Sequence, residues 1–102
     1  MEGNEANQKI IKLIFHAIDE FNSQISKEKR LKKFTKTILF GIDGKLDSLG
    51  LVNLLVIIEQ NIENEFDISF TIADERAMSQ KKSPFRTVES LADFIKMLLK
   101  KM

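Results

Sequence analysis

Apolar residues return at helical intervals in three stretches of this chain. From about Ala6 to Asn22 the residues Ile10, Ile11, Ile14, Ala17, Ile18 and Phe21 form one stripe, widened by Leu13 and Phe15, which predicts an amphipathic helix. From Ser48 to about Glu65, Leu51, Val52, Leu54, Leu55, Ile58, Ile62 and Phe66 fall on one broad face of a second helix. A third stripe, Val88, Leu91, Ala92, Ile95, Leu98 and Leu99 with Phe94 at its margin, predicts a last helix. Thr87 is placed to cap it, and Lys96, Lys100 and Lys101 suit the negative end of its dipole.

Between the second and last helices, Ile72 to Ser79 reads as a short helix with Thr71 as N-cap and Asp74 in its first turn. Pro84, the only proline, ends the linker that follows. Phe70 and Met78 read as core filler, a role that suits methionine. Asp67 to Thr71 has some strand character, but no segment makes a convincing sheet. The prediction is an all-α fold: a four-helix bundle with three longer helices, a short third one, and a long loop between the first two.

That loop is polar from Ser23 to Lys36 and holds the basic cluster Lys27, Lys29, Arg30, Lys32, Lys33 and Lys36, broken by Glu28. Phe34, Ile38, Leu39, Phe40, Ile42 and Leu46 then supply apolar anchors expected to pin it across the bundle. Gly41 and Gly44 mark a turn, and Asp47-Ser48-Leu49 opens the long second helix, with Asp47 or Ser48 as its cap. Ser48 is thus expected at a helix N-terminus, where free N–H groups and the positive end of the dipole favour an anion.

The second helix carries another stripe, Leu49, Asn53, Val56, Gln60 and Glu63, with Ile57 to one side. Leu49 and Val56 are apolar residues among polar ones. Two readings stay open: they pack against another element of the same domain, or they contact a partner protein.

The chain has 102 residues, 43% of them hydrophobic, so one small domain spanning residues 1 to 102 is expected. It has no cysteine, which excludes disulfides and cysteine-based metal or redox sites. Its one histidine, His16, falls on the polar face of the first helix near Lys9, Lys12 and Glu20, a solvated position and not that of a general base for Ser48. No metal-ligand spacing is present, and Asp43-Gly44-Lys45 is too sparse for a phosphate cradle. A non-catalytic protein is therefore expected. The net charge of +1 makes no global case for nucleic acid, and Phe34 alone is no stacking platform for the basic cluster. The longest apolar run, Leu54 to Ile58, is too short to span a membrane, and the opening MEGNEANQKI lacks a basic signal segment, so a cytoplasmic protein is expected.

Asp47-Ser48-Leu49, placed after a glycine-containing loop and at the head of a long apolar helix, resembles the motif of the acyl carrier proteins. A second string, Phe85-Arg86-Thr87-Val88-Glu89-Ser90-Leu91, resembles the entry to that family's last helix, and the likeness covers nearly the whole chain. The resemblance implies a covalent phosphopantetheine arm on Ser48, set there from coenzyme A by a phosphopantetheinyl transferase with magnesium, Asp47 helping to position metal or substrate. It implies acyl or aminoacyl cargo held as a thioester, loaded by a ligase or transferase and processed by cargo-modifying enzymes. It also makes Leu49, Asn53, Val56, Ile57, Gln60 and Glu63 partner contacts, and Phe70 and Met78 a shelter for the cargo. A monomer is expected.

The chain departs from the family in its net charge of +1, where carriers are usually acidic, and in two features of the second helix. Gly50 and Asn53 stand where many carriers have acids, and the second helix is about one turn longer than in fatty-acid carriers, which together suggest a specialised partner set. The competing readings are a cofactor-free helical interaction module, in which Ser48 is only an N-cap, and a salt-sensitive RNA or membrane binder using the basic cluster.

Overall fold

A computed structural model of the chain describes residues 2–41, 43–69, 71–72 and 84–100. Among them are three α-helices: α1 (Glu2–Asn22), α2 (Ser48–Phe66) and α3 (Val88–Lys100). A 3-10 turn at Lys27–Lys29 lies in the long loop. The described residues form no strand, only isolated bridges between Ile38 and Thr87 and between Phe40 and Leu46. The expected short helix falls on residues 72 to 79, of which only Ile72 is described, and it is buried. Phe70, Met78 and Ile42 lie outside the described residues.

α1 starts at Glu2, earlier than the apolar stripe, because that stripe marks only the part of the helix that meets the core. It packs against both α2 and α3. The core joins Ile10, Ile14, Ala17, Ile18 and Phe21 of α1, Leu51, Leu54, Leu55, Ile58 and Ile62 of α2, and Val88, Leu91, Ala92 and Ile95 of α3. Each fully buried Leu or Ile contributes about 1.5–3 kcal/mol relative to exposure. Ile11, Val52, Phe66, Leu98 and Leu99, expected in the inward stripes, are half-buried at the edges of their faces.

The long loop is ordered by its own contacts. The Asn22 side chain donates to the Leu31 carbonyl (2.9 Å) and accepts from the Leu31 N–H (2.8 Å), while Arg30 Nε donates to the Asn22 carbonyl at the end of α1 (3.0 Å). These bonds fold the chain back and bury Leu31, an anchor the apolar pattern does not single out. Leu39 is fully buried as expected, and Phe40 and Leu46 pack against the core. Phe34 differs. It is 63% exposed, because it sits in a turn in which its own carbonyl accepts from the Thr37 N–H (3.1 Å), and the turn lifts the ring away from the core.

Thr87 and Ser90 form a reciprocal capping box at the start of α3. Ser90 N–H donates to Thr87 Oγ1 (3.0 Å), and Thr87 N–H donates to Ser90 Oγ (3.0 Å). Loop carbonyls complete the cap, Thr37 accepting from Val88 N–H (3.1 Å) and Thr35 from Glu89 N–H (2.9 Å). One end of the loop is thereby tied to α3 while the other leads into α2.

Candidate functional site

The chain enters α2 through a turn in which Gly44 N–H donates to the Gly41 carbonyl (3.0 Å). Gly44 lies so close to the backbone of Phe40 that a Cβ would stand 2.8 Å from it, so this turn admits no side chain without shifting the backbone. Leu46 N–H then bonds the Leu39 carbonyl (3.1 Å), which sets Asp47 and Ser48 at a fixed place on the surface.

Of the two candidate caps, Asp47 does the work. It has extended backbone geometry, and its Oδ1 accepts from Gly50 N–H at 2.7 Å while its carbonyl accepts from Leu51 N–H at 2.9 Å. Ser48 is therefore the first residue of the helix and not its cap. It is exposed, and among the described residues its hydroxyl has no hydrogen-bond partner. The N–H groups of Ser48 and Leu49 likewise have no acceptor among the described residues. A phosphate esterified to Ser48 would meet these two donors and the positive end of the α2 dipole, and no acid stands in the first turn of α2. The residues present thus fit a phosphodiester at this position.

Gly50 has a local reason to lack a side chain. A Cβ there would stand 3.2 Å from Asp47 Oδ1 and 3.4 Å from the Leu46 side chain, crowding the cap. An acid at this position would also repel the Asp47 carboxylate.

Of the remaining candidates, Asp47, Leu49 and Asn53 border one depression of about 340 Å³ with Phe21, Ile25 and Lys29. Leu49 is 70% exposed and Val56 41%, which removes the reading that they pack inside the domain among the described residues. Gln60 is exposed as well, farther along the same helix. Ile57 and Glu63 are half-buried, and Ile57 packs against the core, so these two form the inner margin of the stripe rather than its crest.

Lys45 is the residue that the sequence reading leaves without a role. It lines this depression and also a larger groove on the loop side, because the loop folds back beside the start of α2. Its position two residues before Asp47 was the available signal. His16 is exposed on α1, beside Lys9, Lys12 and Glu65, in surroundings separate from those of Ser48. No described group of His, Cys, Asp and Glu side chains is placed to hold a metal ion, and no described helix is long and apolar enough to cross a membrane. Comparison with models of known protein families, with curated proteins and with solved structures finds no match for this chain.

Proposed function

We propose that this chain is an acyl carrier protein, holding acyl or aminoacyl groups as thioesters on a phosphopantetheine arm at Ser48 and presenting them to partner enzymes of a specialised biosynthetic pathway. The observation that carries this reading is the state of Ser48: exposed at the first position of α2, its hydroxyl without a partner among the described residues, its capping role taken by Asp47. When attached, the arm supplies the terminal thiol that a chain without cysteine lacks.

The chain's own part is to bind and position. Ser48 Oγ is the atom that bonds to phosphorus in place of the adenosine bisphosphate portion of coenzyme A, its proton being lost to the transferase. Asp47 holds the helix start in place and would help to position magnesium or substrate for the transferase. Leu49, Asn53, Val56 and Gln60 give transferase, loading enzyme and cargo-modifying enzymes a shared contact. A tethered cargo needs only a weak interface of this kind, because the tether raises its local concentration at each partner. In this reading the protein is a monomeric, non-catalytic substrate of other enzymes in the cytoplasm. The fold that goes with this reading is the four-helix bundle of the acyl-carrier type.

The test is intact mass after incubation with coenzyme A, magnesium and a panel of phosphopantetheinyl transferases. A gain of one phosphopantetheine unit, absent in Ser48→Ala, is expected. No gain on folded protein with any transferase would overturn the carrier reading in favour of a cofactor-free interaction module, which the exposed Leu49 and Val56 favour as a contact surface.

A further inference from the structure

The groove on the loop side of the α2 start, about 660 Å³ in volume, is bordered by Lys32, Phe34, Lys36, Asp43 and Lys45. We propose that it docks an acidic protein surface, one that presents carboxylates around an apolar contact, and that this is how a partner is aligned on Ser48. As an account of the partner's surface the proposal rests on the carrier reading; as a binding property it needs no arm.

Charge complementarity is the first argument. Lys32 has no acidic partner among the described residues. The Lys36 side chain is 85% exposed and meets Glu89 at 3.1 Å in a surface pair, which an incoming carboxylate can exchange at little cost. Lys45 Nζ is steadied by donating to the Arg30 carbonyl (3.1 Å), which leaves its remaining protons for an acceptor. Among the described residues Asp43 is the single acid bordering the groove.

The groove is also built in advance. Thr37 Oγ1 donates to the Lys32 carbonyl (2.8 Å), and the Thr35 and Thr37 carbonyls are bound to the start of α3, so Phe34 is displayed on a turn tied at both ends. An exposed aromatic held in this way loses little conformational freedom on binding and is a fitting interface anchor. Continuity with Ser48 is the third argument, since Lys45 borders both this groove and the depression beside Asp47 and Leu49.

A protein is favoured over a polyanion. Nucleic acid binding along a single strand wants several aromatic platforms, and the described groove has one. An anionic membrane is met by a dense run of cations, whereas here Glu28 and Asp43 interrupt the charge and Asp19 sits beside Lys33.

The experiment uses the unmodified full chain, so that failure to load an arm and failure of this proposal are read separately. Two helix-forming peptides of about 18 residues, identical in a leucine stripe but carrying glutamates or lysines elsewhere, are titrated while backbone amide shifts of the chain are followed. The glutamate peptide is expected to shift Phe34, Lys36, Lys45 and Leu49. Its binding should weaken severalfold when salt is raised from about 0.05 to 0.3 M. Lys32→Glu/Lys36→Glu/Lys45→Glu should weaken it at least tenfold and favour the lysine peptide instead. If that triple variant fails to fold, Lys32→Glu alone, at a side chain without a described partner, should still weaken binding severalfold. Equal binding of the two peptides, shifts confined to other surfaces, or no shifts would overturn the proposal. So would tighter binding at these residues by single-stranded RNA or phosphatidylserine vesicles, which would assign the groove to a polyanion.

Discussion

At the start of α3 the N–H groups of Val88, Glu89, Ser90 and Leu91 all have acceptors, in the Thr37 and Thr35 carbonyls, Thr87 Oγ1 and the Thr87 carbonyl. Ser90 Oγ is engaged as well, accepting from Thr87 N–H and donating to the Pro84 carbonyl at 2.8 Å. At the start of α2 only the third and fourth N–H groups, of Gly50 and Leu51, have acceptors among the described residues, both in Asp47. Ser48 lies open to solvent there. Both starts use a polar cap and both contain a serine, yet one is closed by the rest of the molecule and the other is left available. A helix end that serves only architecture tends to fill its donors, because unmet donors forgo stabilisation. Exposed donors at such an end bond water and, beside an unengaged hydroxyl, stay available to a ligand group.

The largest expected effect separates the two serines. Ser48→Ala should abolish transfer of the arm completely while changing stability by less than about 0.5 kcal/mol, as for a surface change without lost contacts. Ser90→Ala should load fully. Intact mass and denaturant unfolding on the two variants check this, and a loaded Ser48→Ala protein would erase the distinction between the two helix starts.

Gly44→Ala tests whether the open end depends on the turn before it. With a Cβ forced to 2.8 Å from the Phe40 backbone, a loss of about 1–3 kcal/mol is expected, with slower loading because Asp47 and Ser48 shift. Thermal unfolding and loading rate read the two consequences on one variant.

Next in size is the closed end. Ser90→Ala removes an acceptor for Thr87 N–H and a donor to Pro84, and should cost about 1–2 kcal/mol in urea unfolding. A loss well below this would mean that the loop carbonyls alone hold the start of α3.

The smallest stability change is expected for Asp47→Asn. Asparagine caps a helix about as well as aspartate, so stability should move by only a few tenths of a kcal/mol. Loading should fall at least tenfold if the carboxylate positions magnesium. Loading at the normal rate would leave Asp47 with capping as its whole role.

Much of the helical framework was legible from residue spacing. The inward stripes of α1, α2 and α3 match the buried residues at Ile14, Leu54, Leu55, Ile58, Leu91 and Ile95, because a helix that buries one face must repeat its apolar residues near the helical period. Thr87 as a cap was legible for the same kind of local reason. The long loop was less so. Leu31 is buried and Phe34 exposed, the reverse of what hydrophobicity alone suggests for the larger ring, because the Asn22 bonds to Leu31 and the turn at Thr37 decide which side chain faces inward.

Within the candidate site, the position of Ser48 at a helix start was determined by sequence, since glycine turn, cap residue and apolar period are all local signals. Sequence could not choose between Asp47 and Ser48 as the cap. It left the Leu49 and Val56 stripe open between core and surface, and it did not bring Lys45 together with Lys32, Lys36 and Phe34. The backbone at Asp47, whose carboxylate meets the N–H three residues on, settled the cap locally; tertiary structure decided the other two points, because they depend on distances between segments far apart in the chain. Local periodicity fixes which face of a helix is apolar; only the packing of α1 against α2 and α3, and the return of the loop beside Ser48, determines what that face and its neighbours meet.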